Sequence, residues 1–138
     1  MSAIPTYYRG VHFRSRLEAT WAALFDILSW SASYEPIDLE GYVPDFILTL
    51  DAGPLLVEVK PALTYAECLE HEAHLKIARS GWAGDWLVVG TQPFWPRLGA
   101  GPRDCGLLLG TRAWWLDRWA VAKNATQWRG SWSTRCRR

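Results

Sequence analysis

After Ser15, apolar side chains recur at Leu17, Trp21, Leu24, Phe25 and Leu28, a spacing of i, i+4, i+7, i+8 and i+11 that lines one face of an α-helix. Ser15-x-x-Glu18 at its head has the capping-box pattern, in which hydroxyl and carboxylate satisfy free backbone N–H groups. Ser31 to Glu35 before Pro36 predicts a first strand. Pro44-Asp45 then opens the run Phe46-Ile47-Leu48, Asp51-Ala52-Gly53-Pro54 carries turn chemistry, and Leu55-Leu56-Val57 leads into Glu58-Val59-Lys60, together a hairpin that Pro61 ends. Thr64-x-x-Glu67 repeats the capping box, heading a second helix with Ala66, Leu69, Ala73 and Ile77 as its stripe and Gly81 as its stop. Residues 85–90 read as a buried strand. The resulting order of helix, three strands, helix, strand predicts an α/β fold with a sheet between helices.

Outside that stretch the pattern weakens. Residues 1–13 form an opening arm or short strand, and Pro and Gly make residues 91–104 a loop. Leu107–Leu109 and Trp114–Leu116 flank Gly110-Thr111-Arg112-Ala113 as a second hairpin, with a helix starting near Ala113 as the competing reading. Residues 124–138 show no apolar period, only aromatics among arginines, and are expected to lack fixed structure without a partner.

A length of 138 residues suits one domain with its own core. The net charge of +1 conceals an asymmetry: from Arg97 onward nine Lys or Arg face only Asp104 and Asp117, whereas the residues before carry six against twelve acids. That suggests a basic arm beside an acidic site. Ten tryptophans, several outside the periodic segments, suit a binding surface, although Trp114, Trp115 and Trp119 read more readily as core. Cys68, Cys105 and Cys136 are widely spaced and odd in number, so reduced thiols in a cytoplasmic protein are expected, with no membrane span.

Strand alternation points Glu58 and Lys60 to one face and Val57 and Val59 to the other. An acid and a base at the end of an apolar strand are costly unless paired or bound to an ion. Converging carboxylates form a hard, oxygen-rich site for Mg²⁺ or Mn²⁺, and such an ion serves phosphodiester hydrolysis. Asp45 and Glu58 are the candidate ligands, Glu18 can complete the shell from the helix, and Lys60 can orient water or neutralise developing charge. His71 and His74 sit near Glu67 and Glu70 and imitate a metal site, but read as a solvated helix face.

Glu18 on a helix, then Pro44-Asp45 and Glu58-Val59-Lys60 across a hairpin, resembles the PD-(D/E)XK nuclease superfamily, whose restriction-endonuclease-like core is αβββαβ. The likeness covers a core of about residues 14–90 and leaves 91–138 as a Trp/Arg-rich extension of a single nuclease domain. R-S-R-L-E, Y-E-P, Y-V-P-D-F and V-E-V-K are further similar to phage junction-resolving endonucleases and to endonuclease subunits of transposition systems. The resemblance implies metal-dependent cleavage of DNA, with Asp45 and Glu58 as metal ligands and Lys60 as base or stabiliser. A homodimer is expected for cutting two strands. Arg14, Arg16, Trp128, Arg129 and Trp132 are candidate nucleic-acid contacts through phosphate attraction and base stacking. A catalytically silent binding module, or a subunit that cuts only within a larger assembly, are the competing functions.

Overall fold

The structure is a computed structural model that describes residues 3–102 and 110–127. Strands β1 (Thr6–Tyr8) and β2 (Val11–Phe13) pair antiparallel around Arg9 and Gly10, whose φ angles of 48° and 82° are the left-handed values a two-residue hairpin turn requires. Helix α1 (Arg16–Ile27) follows, with Ser15 Oγ accepting the Glu18 N–H at 3.1 Å. The main sheet comprises β3 (Ser31–Tyr34), β4 (Phe46–Leu50), β5 (Gly53–Val59) and β6 (Asp85–Val89), in that spatial order. The first two pairings are antiparallel, and β5–β6 is parallel because α2 (Tyr65–Glu70) and α3 (Ala73–Arg79) carry the chain back across the sheet. Helix α4 (Arg112–Thr126) closes the described chain. The class is mixed α/β, with a four-stranded mixed sheet.

Three expectations need correction. The second predicted helix is two short ones, because His71 takes an extended conformation (φ −63°, ψ 140°). The break shifts the buried positions to Cys68, Ala73 and Ile77, and leaves Ala66 and Leu69 exposed. Trp114–Leu116 are not a hairpin strand but part of α4, as are Asn124–Thr126 of the segment expected to be unstructured. Thr111, which reads as a turn residue beside Gly110, is the N-cap of α4 and accepts the Trp114 N–H at 3.1 Å. Leu107–Leu109 lie outside the described residues.

Alternation along β5 divides the core. Leu55, Val57 and Val59 join Phe46, Leu48, Leu87 and Val89 on the face covered by α1, where Trp21, Leu24 and Phe25 are fully buried. Burying each such aliphatic or Phe side chain stabilises by about 1.5–3 kcal/mol. Leu56 and Val88 face the other way, onto Cys68, Ala73 and Ile77. Helix α4 lies on α1 and adds Trp115, Trp119 and Ala122 to the first cluster. The Trp21 indole donates to the Gly90 carbonyl at 2.9 Å, tying α1 to the end of β6. Gly90 admits no side chain: a Cβ there would lie 2.5 Å from the Ala62 carbonyl oxygen.

Candidate active site

The start of β4 and the end of β5 are neighbours in an antiparallel pair, so residues flanking Phe46↔Val57 meet at one end of the sheet. Asp45 and Glu58 occupy the next position beyond that pair and are bonded through both backbones. The Asp45 N–H donates to Glu58 Oε1 at 3.3 Å, and Asp45 Oδ2 accepts the Val59 N–H at 2.8 Å. Glu58 is buried at 6% exposure, on the α2–α3 face of the strand. Its Oε1 also accepts from the Tyr42 hydroxyl at 2.8 Å, while Oε2 pairs with Lys60 Nζ at 3.3 Å. Lys60 is held just past the strand by its own N–H, which donates to the Val89 carbonyl at 2.9 Å.

Those positions set the electrostatics. Burial first and the Glu58 charge second push the Asp45 carboxyl up from the ordinary 3.8 to about 7, with Glu18 adding to the rise and the Val59 N–H and Lys60 opposing it. The Tyr42 hydroxyl is raised by burial and by Glu58, which suits it to donate rather than ionise. One ammonium thus stands beside two crowded carboxylates.

Glu18 reaches the same end of the sheet from α1. Its Oε1 accepts from the Tyr34 hydroxyl at 2.6 Å, and that hydroxyl accepts the Arg14 N–H at 3.2 Å. The capping half of Ser15-x-x-Glu18 is therefore formed by Ser15, while the Glu18 side chain is spent on Tyr34. Arg14 forms an ion pair with Glu35, which raises its guanidinium further. The Glu35 N–H in turn donates to the Asp45 carbonyl at 2.8 Å. Glu35 holds φ 48°, a left-handed value costly for a residue with a Cβ.

Of the residues singled out in the sequence, Asp45, Glu58 and Lys60 are brought into contact, and Glu18 is close enough for its charge to act on Asp45. Arg14 stands at the rim, whereas Arg16 borders a separate cleft with Lys123. Trp128, Arg129 and Trp132 lie outside the described residues. His71 and His74 are half-buried and not a solvated face: His71 Nδ1 accepts the Ala73 N–H, and His74 bridges the Cys68 carbonyl and the Trp86 indole. Tyr42 and Tyr34, which stand inside the motifs Y-V-P-D-F and Y-E-P, carry no sign in the sequence of the carboxylates they hold.

The donor set of Asp45 and Glu58 fits a hard divalent cation. Asp45 Oδ1 makes no hydrogen bond among the described residues, and a cation there would relieve the repulsion that raises its carboxyl. Among the described residues, no group of three or more His, Cys, Asp or Glu is already arranged around one point for a metal. Beyond Lys60 a cleft of about 550 Å³ runs between Tyr42 and α3, with Lys76 Nζ 5.7 Å from the centre of the Tyr42 ring. Compared with models of protein families, with curated proteins and with solved structures, the chain matches none. Among the described residues, no helix is long and apolar enough to cross a membrane.

Proposed function

We propose that the chain is a divalent-metal-dependent DNA endonuclease of the PD-(D/E)XK kind. The observation that carries this reading is the Asp45 carboxyl, pushed up to about 7 by burial and by Glu58, with Lys60 on the same strand face. A protein selected for stability alone gains nothing by crowding two carboxylates at a buried strand end. Asp45 and Glu58 would hold Mg²⁺ or Mn²⁺, with Glu18 completing the shell. When bound, the ion supplies a Lewis acid for the phosphoryl oxygen and a more acidic water. Tyr42 fixes the Glu58 carboxylate through Oε1, which leaves Oε2 to face Lys60. Lys60 Nζ, 3.3 Å from Glu58 Oε2, presents positive charge to a non-bridging oxygen of the scissile phosphate, where charge grows in the transition state. A homodimer would place two such sites on opposite strands.

The test is cleavage of supercoiled plasmid and of a synthetic four-way junction in Mg²⁺, Mn²⁺ or EDTA. Metal-dependent cutting that disappears in Glu58→Ala and Lys60→Ala supports the reading, and preference for the junction selects a resolving enzyme. Binding without cutting under all three conditions removes it. A second reading rests on Glu18, whose carboxylate is occupied by Tyr34 instead of converging with Asp45 and Glu58. In that reading the chain binds nucleic acid without cutting, or cuts only when an assembly completes the site.

A further inference from the structure

Helix α4 brings Lys123 to the first turn of α1, where Lys123 and Arg16 border a cavity of about 210 Å³ whose other walls are Leu17, Thr20, Thr91 and Trp119. No carboxylate among the described residues lines it. Lys123 is exposed and Arg16 half-exposed. The Thr20 and Thr126 hydroxyls, 2.8 Å apart and buried, fasten α4 to α1 and so fix where Lys123 stands.

Folding alone does not account for this pairing. Arg16 is the first residue of α1, the end at which the helix dipole disfavours a cation, and its neighbour across the cavity is a second cation. The cleft beside Tyr42 differs: Lys60, Lys76 and Arg79 there are offset by Glu40 and Glu72. The α1–α4 cavity is separate from the candidate active site but linked to it along the chain. Thr91 is tied by its N–H to the Ala62 carbonyl at 2.9 Å, two residues beyond Lys60, and Leu17 adjoins Glu18.

We infer that Arg16 and Lys123 form a binding subsite for a backbone phosphate of a polynucleotide, away from the bond that is cut. The inference relies on the endonuclease reading for the identity of the polyanion, and it gives α4 a part in substrate binding. The two cations act as point charges on phosphate, so their contribution is independent of base sequence and weakens with salt.

The experiment measures fluorescence anisotropy of a fluorescein-labelled DNA duplex in EDTA, which bars metal-dependent cutting, across a series of NaCl concentrations. Parent, Arg16→Ala, Lys123→Ala, the double variant, Arg16→Lys, Lys123→Arg and Arg112→Ala are compared, with circular dichroism to establish that each is folded. Arg16→Ala and Lys123→Ala are each expected to weaken binding and lower the slope of log affinity against log salt by about 1, the double variant by about 2. The charge-conserving variants and Arg112→Ala, at the far end of α4, keep the parental slope. Parental slopes in Arg16→Ala and Lys123→Ala overturn the subsite, as does an equal loss in Arg112→Ala or a parent that does not bind the duplex. Slope losses confined to the two alanine variants, in a protein that cuts nothing in Mg²⁺ or Mn²⁺, uphold the subsite and remove the nuclease.

Discussion

The Tyr42 hydroxyl donates a 2.8 Å hydrogen bond to Glu58 Oε1 across sixteen residues of chain. Both groups are buried, and the acceptor is charged. Tyr42→Phe is therefore expected to cost about 1.5–3 kcal/mol, the range for a hydrogen bond to an ionised partner. Denaturant unfolding in EDTA measures this directly. A loss below a few tenths of a kcal/mol would mean that Glu58 is held by Asp45 N–H and Lys60 alone.

Asp45 gives a pH dependence of definite sign. Its folded-state value, about 7, lies above the ordinary 3.8, so the native chain binds this proton more tightly than the unfolded chain does. The stability it contributes is complete below about pH 4 and is lost as pH rises to about 7. Asp45→Asn should flatten the curve of unfolding free energy between about pH 4 and 7 and raise stability at the upper end. An unchanged slope in the variant would assign the dependence elsewhere.

The same carboxylate links stability to metal. Mg²⁺ or Mn²⁺ that binds only the folded chain adds about 2.7 kcal/mol at a hundredfold excess over its dissociation constant. The thermal midpoint of the parent at pH 8 should rise on adding either ion, and that of Asp45→Asn should rise much less. Equal shifts in the two proteins would place the ion somewhere other than Asp45.

Ser15 and Glu18 separate folding from chemistry. Ser15 Oγ is the cap of α1, so Ser15→Ala should cost about 1 kcal/mol while cutting persists. Glu18→Gln leaves an acceptor for the Tyr34 hydroxyl and should fold like the parent, yet lose about 10–100-fold in cutting. Full activity in Glu18→Gln would confine that side chain to its bond with Tyr34.

At Gly90 even one methyl is excessive. A Cβ would lie 2.5 Å from the Ala62 oxygen and 2.8 Å from the Phe94 ring. Gly90→Ala should cost about 1–3 kcal/mol by overpacking, read as an earlier urea midpoint. It should also disturb the Trp21 indole bond, and so the near-ultraviolet circular dichroism.

The elements that were legible in the sequence are those in which one local rule dominates. Leu17 to Leu28 has a helical period, and Asp51 to Pro54 has turn chemistry that fixes the β4–β5 register and hence the meeting of Asp45 with Glu58. The break at His71 was not legible, because it depends on a ring nitrogen accepting the Ala73 N–H. Helix α4 was obscured for a different reason. Its buried residues Trp115, Trp119, Ala122 and Thr126 do follow a helical period, but a Trp pair beside Gly110-Thr111 mimics a strand after a turn. Tyr42 and Tyr34 passed as ordinary aromatics, since what distinguishes them is a carboxylate sixteen residues away in each case.

The seating of α4 on α1 bears on how the chain can be divided. Trp119 packs 4.8 Å from Trp21, and Ala122 and Thr126 are buried against the same helix that carries Glu18. Residues 3–102 on their own would leave Trp21 with one bare side, and residues 110–127 would be an isolated helix of marginal stability in water. Produced as two polypeptides divided ahead of α4, the pieces share one core, and each supplies apolar surface that the other lacks. Reconstitution by simple mixing is the behaviour that this packing dictates.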